Sequence, residues 1–230
     1  MQQLRTKAIV LSRHNYRETD RIVNVLTPEL GKFGLIAKGV RSMKSRLAGG
    51  IELFSVNDIV FIKGRSDLAT LISSRLDKNF SDIIKDIERV QYGYEILRII
   101  DRNTEYEVEP EYFNLLAMTL SGLNDSSLSI SVIKLWFLFK LLIISGHGPN
   151  LLTDNHGVKL SDGEVYGFDA DTMSFFVDRQ GRYSVNHIKF LRVLAISNNP
   201  LIVAKVNGVA GYSKDLMSLI VLMGDLHLNS

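Results

Sequence analysis

Hydrophobic positions follow two different periods along this chain, and the change falls near residue 80. Before it, short apolar runs rich in β-formers alternate with turn residues, which predicts strands. The runs lie at residues 7–11, 21–26, 34–37, 58–62 and 68–76. Five short strands around one long loop are typical of a small closed barrel such as an OB-fold. An SH3-like barrel would produce the same pattern and remains the alternative.

After residue 80, apolar residues recur every three or four positions, and this spacing predicts helices. The predicted helices begin at Ser81 or Asp82, at Glu111, at Ser126 or Ser127, at Ser184 and at Ser213. Between the third and fourth helices, residues 151–183 are rich in Asp, Asn and Gly, and we expect an inserted loop or small ribbon there.

The two periods together predict an α+β, multidomain protein. We expect an N-terminal five-stranded OB-fold β-barrel over residues 1–80 and an α-helical C-terminal domain over residues 81–230. The insertion would occupy about residues 150–184 of the helical domain.

Composition and charge sharpen this picture. The chain has 230 residues, 46% of them hydrophobic, and no cysteine, which excludes disulfides, thiolate metal sites and a cysteine nucleophile. The net charge of +2 conceals a split: residues 1–80 carry 14 Lys and Arg against 7 Asp and Glu. The remaining residues carry 13 against 18. A basic barrel on an acidic body suggests a module that binds polyanions.

Most of the basic excess comes from one acid-free segment that runs from Lys32 to Arg46. Its cations are Lys32, Lys38, Arg41, Lys44 and Arg46, and the small residues between them would let backbone N–H groups approach phosphates. A basic loop between barrel strands is what binding to a nucleic-acid backbone requires, and we assign DNA binding to these cations. Arg13 and Arg17 would support them, while Tyr16 and Phe33 could offer faces for base stacking.

Catalytic and metal-binding patterns are weak. The five histidines have no helical metal-ligand spacing, and no nucleophile elbow, P-loop or dinucleotide fingerprint occurs. A metal cluster would have to come from the acidic loop residues Asp154, His156, Asp162, Asp169 and Asp171. We therefore expect no enzyme activity, cofactor or metal. A metal-dependent hydrolase built on that loop stays a minor alternative, and an OB-fold RNA-binding factor is the stronger one.

The most apolar stretch, residues 128–144, contains two lysines and is better explained as a buried helix than as a membrane span. The N-terminal residues lack the apolar run of a signal peptide, so we expect no membrane association and a cytoplasmic protein.

Several segments resemble the RecO family of bacterial DNA repair proteins. They are Ala8–Leu11, Tyr16–Val23 (Tyr-Arg-Glu-Thr-Asp-Arg-Ile-Val), Leu26–Lys32 and Ala37–Arg41, with order and spacing kept. Phe137, Leu141 and Leu142, followed by Gly146, His147 and Pro149, are similar to the central helix of that family and to the turn that ends it.

The resemblance implies a non-enzymatic mediator of recombinational repair in the RecF pathway, with an OB-fold and a helical domain. It implies binding of single- and double-stranded DNA (ssDNA and dsDNA) and annealing of complementary strands. It also implies contact with the acidic C-terminal tail of the single-strand-binding protein SSB and, with RecR, the loading of RecA.

The chain departs from the family pattern in two places. Many members carry a four-cysteine zinc site after the Gly-x-x-Pro turn, whereas this chain has residues 153–157 (Thr-Asp-Asn-His-Gly) there, so we expect packing alone to shape the insertion. In the central helix, Leu135, Trp136 and Leu138 stand where the family often has arginines and an acid. An SSB tail could still bind Lys134, Trp136 and Lys140, while a buried helix with snorkelling lysines is the other interpretation.

Overall fold

The structure is a computed structural model that describes residues 2–43, 45, 47, 50–64, 68–104 and 110–228. The chain separates into two compact units, residues 1–126 and residues 127–230. The first unit contains the barrel strands, which end at Asn79, and also the first two α-helices. The compact unit therefore extends beyond the barrel that was predicted to end at residue 80.

Five of the described strands close into a barrel in the order β1-β2-β3-β5-β4. They are β1 (Gln2–Tyr16), β2 (Asp20–Thr27), β3 (Gly31–Ala37), β4 (Ser55–Lys63) and β5 (Ala69–Asn79). β4 pairs with β1 and β5 in antiparallel fashion, and a short parallel contact of Leu35 with Ala69 joins β3 to β5. This order and closure confirm the predicted OB-fold.

The barrel core lies on one face of each strand. Val23 and Val25 of β2 and Leu35 and Ala37 of β3 are at most 1% exposed and alternate with less buried neighbours, as period-two packing requires. The core also takes in Val40 and Ile51, which belong to the loop between β3 and β4. These two apolar contacts anchor the loop that carries most of the predicted cations.

Helix α1 (Ile87–Asn103) begins later than predicted. The Asp86 carboxylate accepts hydrogen bonds from the N–H groups of Glu88 and Arg89, at 2.9 and 3.2 Å, and so caps the helix. The predicted start at Ser81 or Asp82 precedes a short 3-10 turn (Ile83–Lys85) instead. The residue that caps α1 is therefore Asp86 rather than Ser81 or Asp82.

Helix α2 (Pro110–Asn124) is fixed to the start of α1 by a buried arginine. The Arg89 guanidinium donates to the carbonyls of Leu123 and Asp125, at 2.8 and 3.0 Å, where α2 ends. The carbonyls at a helix C-terminus lack helical partners and carry partial negative charge. A buried guanidinium there donates the missing hydrogen bonds and also offsets that charge.

The second unit is built around a predominantly apolar helix. Its helices are α3 (Ile130–Ile144), α4 (Val185–Ile196), α5 (Pro200–Val203) and α6 (Val209–His227). On α3, Trp136, Phe137 and Phe139 are at most 1% exposed, which makes it the central helix of the unit. Ser184 precedes α4 as predicted, whereas α3 follows Ser129, and Ser213 lies buried inside α6 rather than at its start.

Of the loop and the small ribbon expected for the insertion, the structure shows the ribbon, in the form of a small sheet. Four further described strands form a sheet in the order β6-β8-β7-β9, namely β6 (Asn150–Asp154), β7 (Val165–Asp169), β8 (Ser174–Val177) and β9 (Tyr183–Ser184). Tyr166 and Phe175 are at most 1% exposed, and the Tyr166 hydroxyl accepts from the N–H of Ser161 at 2.9 Å. Packing and local hydrogen bonds thus shape the insertion.

None of the helices in the described part of the chain combines the length and the apolar character that a membrane crossing requires.

Candidate nucleic-acid interface

Two loops meet at one end of the barrel. The β1–β2 turn is closed by the pairing of Tyr16 with Asp20, and the β3–β4 loop leaves the barrel directly after Ala37, which pairs with Arg21. The backbone N–H of Arg41 donates to the carbonyl of Thr19 at 2.9 Å. Residues 16–20 and 38–41 therefore form one hydrogen-bonded surface, which we call the loop end.

A buried carboxylate holds the two loops together. Asp20 is 9% exposed, and its Oδ1 accepts the backbone N–H of Gly39 at 2.8 Å. Gly39 has φ +63°, a left-handed conformation that residues with a Cβ adopt only at a cost. No local sequence signal reveals this partner of Asp20, because Gly39 lies nineteen positions away along the chain.

Arg41 has a structural contact in addition to its predicted phosphate contact. One of its guanidinium nitrogens, Nη1, donates to the carbonyl of Glu18 at 2.9 Å, and the side chain is otherwise exposed. A guanidinium has five N–H donors, so Arg41 can hold the turn and still present donors to a phosphate.

Tyr16 and Arg17 form a stacked pair on the turn. The Arg17 guanidinium lies 5.2 Å from the centroid of the Tyr16 ring, which is a cation–π distance. Tyr16 is 36% exposed, so its ring is open to solvent at the end of the strand. Base stacking at Tyr16 stays a prediction, and the exposed position of this residue is compatible with it.

The cations of the loop end are not neutralised by ion pairs. Arg17, Lys38 and Arg41 are all exposed, and within the described part of the chain none of the three forms an ion pair. Glu18, also exposed, is the opposing charge in the same turn. The predicted binding residues Lys44 and Arg46 follow on the same loop but lie outside the described residues.

Two other predicted cations are engaged within the first unit. The Lys32 Nζ donates to the carbonyl of Asp101 at 2.5 Å and lies 3.3 Å from its carboxylate, near the end of α1. The Arg13 guanidinium lies 2.6 Å from the Glu52 carboxylate. Because both cations pair within the fold, we assign Lys32 to holding α1 and Arg13 to holding the β3–β4 loop. Less of their charge is then available to bind DNA.

Phe33 belongs to the core rather than to the outer surface. It has the same strand parity as Leu35 and Ala37, so its ring faces inward, where it packs 5.0 Å from the ring of Phe61. This position corrects the expectation of a stacking face at Phe33. The alternation along β3 was the sequence signal that could have placed it inside.

Comparisons with known proteins point in one direction. The family model for the N-terminal domain of recombination protein O matches residues 1–80. The DNA repair protein RecO of Alkaliphilus metalliredigens is 34% identical over 149 residues, which is 64% of this chain and 60% of that protein. Residues 1–80 are therefore similar to the N-terminal domain of recombination protein O, and the chain is similar to part of the RecO proteins.

Further relatives give the same result. The DNA repair protein RecO of a Roseiflexus species is 36% identical over 148 residues, 64% of this chain and 51% of that protein. RecO of Listeria monocytogenes serotype 4b is 32% identical over 146 residues, 63% of this chain and 56% of that protein. The matches therefore span little more than half the length of these RecO proteins.

Trp136 and Lys140, two of the residues expected to bind the SSB tail, form hydrogen bonds within the second unit. Trp136 is 1% exposed, and its Nε1 donates to the carbonyl of Ser197 at 3.1 Å. The Lys140 Nζ donates to the carbonyl of Ala195 at 2.7 Å, and burial lowers the pKa of this amine below its usual value. Both bonds fall at the C-terminal end of α4, whose carbonyls need partners.

This geometry corrects the expectation of an open tail site at Trp136, because the indole is packed and hydrogen-bonded. Lys134, two positions before Trp136 on α3, is half-buried. The alternative interpretation, a buried helix with snorkelling lysines, fits the positions of Trp136 and Lys140.

The zinc site of the RecO family does not fit these residues. The chain has no cysteine, and Asp154 uses its carboxylate to accept the N–H groups of His156 and Val158, at 2.9 and 2.8 Å, within its own turn. Asp162 pairs with Lys189 at 3.0 Å, and Asp169 accepts the hydroxyl of Thr172. Among the described residues, no three His, Asp or Glu side chains converge as metal ligands.

Proposed function

We propose that this protein, which is similar to RecO proteins, binds DNA through the loop end of its barrel and acts without enzyme chemistry in DNA repair by recombination. The observation that carries the proposal is a group of exposed cations, Arg17, Lys38 and Arg41, on two loops that are hydrogen-bonded to each other. Within the residues that the structure describes, these three cations form no ion pair. In OB-folds, the loop between the first two strands and the face of strands two and three bind oligonucleotides. The printed name of the relatives, DNA repair protein RecO, supports the same function.

Charge neutralisation explains how such a surface would bind either DNA form. Each phosphate that meets a cation releases condensed counterions, so affinity is independent of sequence and falls with salt. Lys38 and Arg41 lie next to the segment that carries Lys44 and Arg46, and together they would follow one backbone. A fixed loop has less conformational freedom to lose when it binds.

Strand annealing follows from the same chemistry. Two single strands repel each other as polyanions, and a protein that neutralises part of their charge lets them approach, after which base pairing supplies the driving force. Binding of SSB-coated DNA through the SSB tail, and loading of RecA together with RecR, are proposed on the RecO resemblance.

Annealing of complementary oligonucleotides tests the proposal, in the presence of SSB and of SSB without its C-terminal tail. The double variant Lys38→Ala/Arg41→Ala should slow annealing. The matched control Lys205→Ala/Lys214→Ala removes the same charge from exposed lysines of the second unit and should leave the rate unchanged. A faster rate with tailed SSB than with tailless SSB supports a tail contact.

Three results would contradict the proposal. Equal rates for the wild type and the Lys38/Arg41 variant would remove the loop end from the function. A preference for structured RNA over single-stranded DNA would favour the RNA-binding alternative. Magnesium- or manganese-dependent cleavage that is lost in Asp154→Ala would indicate the hydrolase.

A further inference from the structure

The β1–β2 turn carries an aromatic face and a cation in a fixed arrangement. Tyr16 is the last residue of β1, it pairs with Asp20, and it leaves its ring 36% exposed at the tip of the hairpin. The Arg17 guanidinium lies over this ring at 5.2 Å from its centroid. A planar ring and a planar guanidinium are the two side-chain surfaces on which unpaired bases stack.

The backbone at Arg17 is in an unfavourable conformation. Its φ is +51°, in the left-handed region that residues with a Cβ avoid. Phe54 also has positive φ, but its side chain is buried at 5% exposure and packs against Tyr94, so packing offsets the strain there. The Arg17 side chain is exposed, so burial does not offset the strain there as it does at Phe54.

The neighbouring loop keeps this turn in place. Arg41 donates from its side chain to the Glu18 carbonyl at 2.9 Å and from its backbone to the Thr19 carbonyl at 2.9 Å. The stacking pair therefore has a fixed position relative to Lys38, which lies on the same loop as Arg41.

We propose that the Tyr16–Arg17 pair is a stacking site for one unpaired base, and that this turn makes the loop end prefer single-stranded over double-stranded DNA. The proposal rests on DNA binding at the loop end. Bases in a duplex are stacked on both faces by their neighbours, so only an unpaired base can lie on Tyr16. Lys38, which meets only the backbone, contributes to both DNA forms equally.

Anisotropy titrations with a labelled oligothymidine and with a duplex of equal length test this assignment. Tyr16→Leu keeps an apolar side chain without the ring face and should lose about five-fold or more in affinity for the oligothymidine. The same variant should change duplex affinity by less than about two-fold. Tyr16→Phe keeps the ring and should retain both affinities, while Lys38→Ala should weaken both by similar factors.

Each other outcome has a distinct meaning. Equal losses on both DNA forms, or no loss with Tyr16→Leu, would overturn the stacking site while leaving DNA binding intact. A wild-type protein that binds neither probe would overturn the proposed function instead. Tyr16 is exposed, so thermal melts of Tyr16→Leu and Tyr16→Phe should match the wild type and exclude a folding effect.

Discussion

The Asp20 carboxylate accepts the backbone N–H of Gly39 at 2.8 Å and thereby joins the β1–β2 turn to the basic loop. An acid at the centre of a cationic surface would weaken anion binding if it were exposed. At 9% exposure, with a backbone donor, Asp20 instead fixes the positions of the cations around it.

Replacement of Asp20 separates positioning from charge. Asp20→Ala leaves the Gly39 N–H without its acceptor and should lower the free energy of unfolding by about 1–3 kcal/mol. It should also weaken DNA binding, although it removes a negative charge. Asp20→Asn keeps an acceptor oxygen and should bind DNA at least as tightly as the wild type. Urea titrations and DNA titrations of both variants measure this, and tighter binding by Asp20→Ala would show that Asp20 acts only through its charge.

Arg17→Gly should weaken DNA binding without lowering the free energy of unfolding. Glycine accepts positive φ, so the relief of strain offsets the entropy that glycine adds to the unfolded chain, and stability should be unchanged or higher by up to about 1 kcal/mol. Affinity for single-stranded DNA should fall because the variant lacks a cation and its stacking surface. A variant that melts lower and binds normally would contradict the role assigned to Arg17.

The barrel and its basic loop were accessible from sequence because their signals are local. Alternation within strands, turn residues and a run of cations without acids are all visible within a few positions. Phe33 could also have been placed, since it lies two and four positions before Leu35 and Ala37 and so shares their core-facing side of the strand.

The partners of individual charges were not accessible, because they come from distant segments. Lys32 meets Asp101 only after the barrel and α1 have packed, and Asp20 meets Gly39 only after the barrel strands align. Similarly, the sequence around Trp136 predicts only that this residue lies on a helix and has an N–H that needs an acceptor. The acceptor, the carbonyl of Ser197, comes from the end of α4, sixty-one positions away along the chain.

Trp136 is the sole tryptophan of the chain, so its fluorescence reports on the second unit alone. Because the indole is buried, its emission should be blue-shifted and should not change when DNA or an acidic peptide is added. Trp136→Phe removes the hydrogen bond to Ser197 and should lower the free energy of unfolding by about 1–3 kcal/mol. Ready quenching of the wild-type emission by iodide would contradict the burial of Trp136.

The exposed ion pair of Lys7 with Asp77 predicts a pH dependence. The Lys7 ammonium, at 2.5 Å, lowers the pKa of the Asp77 carboxyl below its usual 3.8. A carboxyl with a lowered pKa stabilises the fold above its unfolded value, and this contribution disappears as pH falls through the folded value. Urea midpoints measured from about pH 5 to below about pH 3 should therefore fall less steeply in Asp77→Asn than in the wild type. Identical slopes would show that the pair adds nothing to stability.

The salt dependence of single-stranded DNA binding tests the central claim most directly. Oligothymidine affinity of the wild type should fall steeply between about 50 and about 200 mM salt. Lys38→Ala/Arg41→Ala should bind more weakly and reduce the slope of log affinity against log salt by about 0.7 for each phosphate that the variant no longer neutralises. Lys205→Ala/Lys214→Ala should leave both unchanged. An affinity and a slope that are the same in the wild type and in Lys38→Ala/Arg41→Ala would contradict DNA binding at the loop end.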